Sequence, residues 1–211
     1  MKKLLMAIPK GRILEDLKPL FAKINLIPES DFFDEKSRKL VFSTNNKNLD
    51  LLQVRSFDVA TFVKFGAADI GICGLDVLEE FSSPEIFRLL DLKIGQCRLS
   101  IAGKKSLQFN LENKSHIRIA TKYTQIAQNY FSNLGIQVEA IKLNGSIEIA
   151  AQLNLCDFIL DLVSSGKTLE QNQMVELKKV IDVSSYLISN RASFKIFNEE
   201  INQLIKNFNV A

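Results

Sequence analysis

Short apolar runs alternate with stretches of helical spacing from one end of this chain to the other, and nothing else in the sequence restricts the fold as strongly. Residues 4–8, 69–73, 117–120 and 158–163 are apolar runs of strand length. Between them, apolar residues recur at three- and four-residue intervals, as in Ile13, Leu14, Leu17, Leu20, Phe21 and Ile24. Buried strands followed by amphipathic helices predict an α/β fold with largely parallel sheets.

The spacing predicts further elements. Pro19 falls inside the first helix and predicts a kink there. Residues 40–43 and 51–55 read as paired strands around a polar turn. Residues 58–65 and 76–80 read as helices, and 82–84 (Ser-Ser-Pro) as a loop. In the second half, strands are expected at 96–102, 117–120, 138–143, 158–163, 175–183 and 186–188. Helices are expected at 124–134, stopped by Gly135, and at 146–153. Residues 104–115 read as a polar loop and 194–208 as one closing helix. The character of the chain shifts near residue 92 and returns near 180. Two α/β lobes are expected, 1–91 plus 180–211 and 92–179, with the cleft between them as the default ligand site.

Composition excludes several classes. The chain has 211 residues, enough for one large domain or two small ones. A net charge of +3 is too small for a general nucleic-acid binder. No apolar run approaches the roughly eighteen residues that span a bilayer, so no membrane is expected as a partner. Lys2 and Lys3 precede only five apolar residues, too few for the core of a secretory signal. The three cysteines, at 73, 97 and 156, form no CxxC pair, so neither a disulfide framework nor a zinc site is expected. Free thiols point to the cytoplasm. The single histidine, His116, limits triad chemistry and excludes multi-histidine metal sites.

The chemistry concentrates in five segments. Asp161-Leu-Val-Ser164-Ser165-Gly166-Lys167-Thr168 is a strand entering a loop and a helix start. Its hydroxyls, its glycine and the Lys167 cation suit a phosphate. Gly166-Lys167-Thr168 imitates the end of a Walker A loop, but that motif needs a glycine at 161, where this chain has aspartate. Asp161 instead suits ribose hydroxyls or magnesium beside a phosphate. Ser and Thr are also common helix caps, so the segment alone leaves both readings open. Lys10-Gly11-Arg12 places two cations and a glycine turn at a strand end, where open α/β sheets bind ligands, although taken alone the motif reads equally as a charged loop. Arg38 and Arg55 flank the two strands predicted to pair; they could reach one sheet edge to neutralise a polyphosphate, and solvated surface arginines are the plainer reading of the pair taken alone. Cys73-Gly74 joins a strand to a short helix and can shape a pocket or equally form a packed turn. Glu148, after Asn144-Gly145-Ser146, can bond sugar hydroxyls or serve as a first-turn acid.

Taken in order, these segments resemble the ATP phosphoribosyltransferase family. The resemblance rests on Ile8-Pro-Lys-Gly-Arg12, Ser37-Arg-Lys-Leu40, Val54-Arg55 with Asp58-Val, and Gly66-Ala-Ala-Asp-Ile-Gly71. It continues through Ile119-Ala-Thr-Lys-Tyr123, Ile141-Lys-Leu-Asn-Gly-Ser146, Asp161-Leu-Val-Ser-Ser-Gly166 with Thr168-Leu169, and Asn190-Arg-Ala-Ser193. It implies two lobes like those of type II periplasmic binding proteins, with the active site in the cleft between them. It implies transfer of the 5-phosphoribosyl group of phosphoribosyl pyrophosphate to N1 of ATP, releasing pyrophosphate, in the first step of histidine biosynthesis. Residues 164–168 match the loop for the 5-phosphate, Asp161 and Glu148 match positions near ribose and magnesium, and Lys10, Arg38 and Arg55 match basic positions around ATP and pyrophosphate. Magnesium arrives with substrate, and no organic cofactor is expected. The chain resembles the short form of the family, which implies a regulatory subunit related to histidyl-tRNA synthetases, a hetero-octamer with it and a homodimer alone. Leu75, Asn129, Ala151 and Lys167 depart from the family pattern.

Two other classes compete. A solute receptor would share the two-lobed shape, but would not need Arg38, Arg55 and the 161–168 segment together. A P-loop kinase fails at Asp161.

Overall fold

A computed structural model describes residues 3–34, 36–106, 111 and 114–210. Residues 107–110, 112 and 113, within the stretch read as a loop at 104–115, lie outside the described residues. The chain forms two compact units. Unit 1 is Met1–Gly95 with Ser184–Ala211, and unit 2 is Gln96–Val183. Each boundary falls a few residues beyond the one read from the sequence, because the strand that closes unit 2 runs on to Val183 and pairs there with Cys97.

Unit 1 opens with β1 (Leu4–Pro9), α1 (Arg12–Lys23), β2 (Val41–Ser43), β3 (Leu49–Val54), α2 (Ser56–Lys64), β4 (Ile70–Gly74), α3 (Leu75–Phe81) and β5 (Ile86–Asp91). Unit 2 holds β6 (Cys97–Lys104), β7 (His116–Thr121), α4 (Thr124–Ser132), β8 (Gln137–Lys142), α5 (Ile147–Gln152), β9 (Phe158–Val163), α6 (Lys167–Gln171) and β10 (Met174–Val183). The chain then returns to unit 1 as β11 (Ser185–Asn190), α7 (Arg191–Ile196) and α8 (Asn198–Val210).

The unit 1 sheet has the order β2-β3-β1-β4-β11-β5. β3, β1 and β4 run parallel, and β2 and β11 run antiparallel to their neighbours. Helices cover both faces, so the central strands are apolar on both sides, as a parallel sheet requires. On one face α1 and α8 bury Leu17, Phe21, Ile201 and Phe208 with Met6, Ile8 and Leu51. On the other, α2 and α3 bury Val59, Val63, Val77 and Leu78 with Ala7, Cys73 and Ile188. α1 runs through Pro19, which lies on its exposed side, where water can take the carbonyl left without a helical donor.

The unit 2 sheet has the order β10-β6-β9-β7-β8. β9, β7 and β8 are parallel, while β6 and β10 are antiparallel. Its helices α5 and α6 pack Ile147, Ala150, Ala151 and Leu169 over Ala102, Ile159 and Val163. Gly135, at φ +73°, follows the end of α4, as the sequence predicts.

One element carried no sequence signal, and one reading of the sequence needs correction. Residues 86–91, which carried no prediction, form an edge strand paired with β11. The closing stretch is two helices, since the chain breaks at Phe197 (φ −109°, ψ 36°). Among the described residues, no helix is long and apolar enough to cross a membrane.

Candidate active site

In unit 1 the candidate residues gather at one edge of the sheet. β1 and β3 pair in register from Leu4↔Leu49 to Pro9↔Val54. Lys10 and Arg55 are therefore the first residues beyond two adjacent strands, and the Lys10 amide donates to the Val54 carbonyl (2.9 Å). β2 opposes β3 with Val41↔Leu52, and the Gln53 amide donates to the Leu40 carbonyl (2.8 Å). Arg38 lies two residues before this last paired position, on the side of β2 where Arg55 follows β3. Gly74 ends β4 on the other side of β1. Lys10, Arg55 and Gly74 thus share the carboxyl edge of the parallel strands, the usual ligand edge of an open α/β sheet, and Arg38 precedes β2 at the same end. Lys10, Arg12, Arg38 and Arg55 are all exposed. Among the described residues no acidic group forms an ion pair with Lys10, Arg38 or Arg55. Their charge is left for a ligand.

Gly11 turns the chain from β1 into α1 at φ 90°, ψ −147°, a region that in practice only glycine occupies. Beside it lies a cavity of about 420 Å³ lined by Lys10, Lys18, Phe33, Ser37 and Gln53 among others. Gln53 is buried and donates from Nε2 to the Phe32 carbonyl (2.6 Å), which holds the cavity floor in place.

Cys73 does not belong at this edge. Its side chain is 1% exposed and packs in the apolar core under α2 and α3. Burial first, and the Asp76 carboxylate second, hold its thiol far above the usual range. The thiol thus faces the core rather than a ligand, and Gly74 supplies backbone at the strand end.

In unit 2 the parallel strands β9, β7 and β8 deliver their loops to one edge. The 164–168 loop leaves β9, and the segment carrying Glu148 leaves β8. Gly166 is the residue before α6 at φ +79°, ψ −4°. The Lys167 amide donates to Ser165 Oγ (3.4 Å), and Ser164, Ser165, Lys167 and Thr168 are exposed. Glu148 is half-buried in the first turn of α5, behind Ser146 at φ 51°. Asp161 is half-buried within β9, opposite Ser100 of β6, and its Oδ1 accepts from the Leu162 amide (2.8 Å).

One residue here was missed by the sequence reading. Arg98 of β6 donates from Nη1 to the Ser164 carbonyl (3.1 Å). It also grips Glu176 of β10 with two donors, Nε to Oε1 (2.6 Å) and Nη2 to Oε2. Ser100 Oγ, fully buried, donates to the same Oε1 (2.8 Å). Only the antiparallel pairing Arg98↔Val163 brings position 98 to the loop, and no local pattern announces that pairing. Of the departures from the family pattern, Leu75 heads α3 half-buried, Asn129 is exposed on α4, and Ala151 packs in the core. Among the described residues, no group of three or more His, Cys, Asp or Glu side chains is placed to hold a metal ion.

Two α/β units, one presenting cations that lack an acidic partner among the described residues and the other a hydroxyl- and glycine-rich loop, have the chemistry of a protein for phosphate-bearing ligands. The family model for ATP phosphoribosyltransferase, HisG, matches residues 55–210. Among curated relatives, an ATP phosphoribosyltransferase of Sphingopyxis alaskensis is 49% identical over 208 residues, covering 99% of this chain and 93% of the relative. One from Rhodospirillum rubrum is 49% identical over 213 residues, with the same coverage. Among solved structures, the ATP phosphoribosyl transferase (HisG:HisZ) complex from Thermotoga maritima contains a chain that matches with TM-score 0.81 and 29% identity, over 98% of this chain and 96% of that one. The chain belongs to the ATP phosphoribosyltransferase family, pentosyltransferases that open histidine biosynthesis. Its fold is accordingly of the periplasmic-binding-protein kind.

Proposed function

We propose that this chain moves the 5-phosphoribosyl group of phosphoribosyl pyrophosphate to N1 of ATP, with its two units dividing the work. The 164–168 loop of unit 2 takes the 5-phosphate through the hydroxyls of Ser164, Ser165 and Thr168, the backbone at Gly166 and the Lys167 cation. Asp161 and Glu148 take the ribose hydroxyls and the magnesium that arrives on the pyrophosphate. In unit 1, Lys10, Gly11 and Arg12 meet the nucleotide, and the neighbouring cavity has room and mixed polarity for part of it. Arg38 and Arg55 act on the departing pyrophosphate.

The observation that supports this reading is that Lys10 and Arg55 end adjacent strands, with Arg38 just before β2, and that none of the three has an acidic partner among the described residues. Two polyanionic substrates repel each other, so cations must converge before they can meet. The bond to pyrophosphate breaks as positive charge builds on the sugar and negative charge on the leaving group. Such a step needs positioning and electrostatics more than a basic histidine. His116, exposed at the start of β7, fits no role in it. A two-lobed solute receptor is the competing reading, and it has no use for these cations together with the β9 loop.

The reading extends to context. A HisZ-type regulatory subunit, as in the complex from Thermotoga maritima, is the expected partner, in a hetero-octamer with a homodimer as the free form. The working compartment is the cytoplasm. Purified chain is mixed with ATP, phosphoribosyl pyrophosphate, magnesium and pyrophosphatase, with and without such a subunit. The ultraviolet change of N1-substituted adenine then reports product. Product in either tube supports the reading, and none in both, from folded protein, defeats it.

A further inference from the structure

The geometry points to Arg98 as a positioning residue for phosphoribosyl pyrophosphate, holding the 164–168 loop open to the 5-phosphate through its bond to the Ser164 carbonyl. A trans peptide is planar, and its carbonyl and the following N–H point in opposite directions. Arg98 draws the Ser164 carbonyl toward β6. The Ser165 N–H is thereby turned away from β6, toward the opposite side of β9. The flanking Ser164 and Ser165 are exposed, so packing does little to set this peptide's orientation.

The anchor is itself anchored. Glu176 accepts both Nε and Nη2 of Arg98, which fixes the guanidinium plane and leaves Nη1 aimed at Ser164. Ser100, buried between them, fixes Glu176 in turn. Glu176 lies opposite Ala102 in the β10–β6 register, and a bulge between Glu176 and Lys178 accompanies its reach along β6 to Ser100 and Arg98. Three strands, β9, β6 and β10, therefore fix one loop peptide. The pairing also absorbs the Arg98 charge, so its contribution is orientation.

This inference rests on the reading of residues 164–168 as the phosphate loop. The test is steady-state kinetics of the full chain, with its regulatory subunit if activity needs one. Arg98→Met is expected to raise the KM for phosphoribosyl pyrophosphate roughly tenfold, as loss of one charge-assisted hydrogen bond implies, with the KM for ATP and kcat within about twofold. Glu176→Gln, which keeps the shape but loosens the grip, is expected to give a smaller rise in the same constant. Arg98→Lys, which cannot hold Glu176 and Ser164 at once, is expected to fall between them and serves if Arg98→Met fails to fold. Gly166→Val is the control for the underlying reading, scored by calorimetry with ribose 5-phosphate. If it abolishes binding while folded Arg98 variants leave the KM for phosphoribosyl pyrophosphate unchanged, the loop assignment stands and the positioning role falls. If both KM values or kcat move in step in the Arg98 variants, Arg98 is a general structural residue and the proposal is overturned. If Gly166→Val leaves binding intact, the loop assignment fails and the proposal fails with it.

Discussion

Gly166 shows how a single residue type can be demanded by the backbone alone. An added Cβ would meet nothing within 4 Å, so space is not the constraint; φ +79° is. A β-branched side chain resists that conformation by about 1–2 kcal/mol and would straighten the turn. Gly166→Val is expected to abolish binding of phosphoribosyl pyrophosphate, measured by calorimetry. Unchanged affinity would remove the loop from the site. Arg55 poses the opposite case, a side chain with no structural partner among the described residues. Arg55→Ala is expected to lower kcat by about 10²–10³-fold with an unchanged melting temperature. A loss of melting temperature in proportion would make Arg55 a folding residue instead. At this scale the sequence was informative where a residue's neighbours along the chain define it, as with Lys10, Gly11 and Gly166. It was silent where the neighbours are distant. Arg98 reads as an ordinary strand residue until β6 pairs with β9, and Cys73 reads as a strand-end residue that can shape a pocket until α2 and α3 close over it.

Elements show the same division. Periodicity made α1, α2 and β9 legible because each carries an apolar pattern against one or two covered faces. β5 escaped it because its residues are only partly buried on both sides, with no clean alternation. The break between α7 and α8 escaped it because Phe197 is neither glycine nor proline. The start of α7 has a local signal in Asn190, whose side chain accepts from the Ala192 (2.8 Å) and Ser193 (3.3 Å) amides. The same side chain donates to the Val63 (3.0 Å) and Lys64 (2.8 Å) carbonyls at the end of α2. One residue thus caps one helix and closes another. Asn190→Ala removes a cap and strands two carbonyls, at a cost of about 2–4 kcal/mol in urea unfolding. A cost under about 0.5 kcal/mol would show that water replaces it.

For the whole molecule, acid sensitivity follows from its paired glutamates. The Arg98 guanidinium, with the Ser100 hydroxyl assisting, holds the Glu176 carboxyl below the ordinary value of 4.5. A group whose folded pKa is depressed contributes stability above its unfolded pKa and loses it as pH falls through the folded one. The melting temperature should therefore decline as pH drops below about 4.5, and Glu176→Gln should flatten that decline. An identical pH profile in the variant would mean the pair contributes nothing to acid stability.

The sheet order of unit 1 also has a consequence on the ribosome. β11 lies between β4 and β5, yet it is made last, after all of unit 2. Until residues 185–190 emerge, β4 has an open edge and β5 has no strand to join. Unit 2, whose ends meet where Val183 pairs with Cys97, is complete before its host. The nascent chain thus finishes its inserted half first and carries an unfinished sheet while it does so. A transcript that stops near residue 183 would release a protein with one closed half and one exposed, adhesive edge, a substrate for quality control.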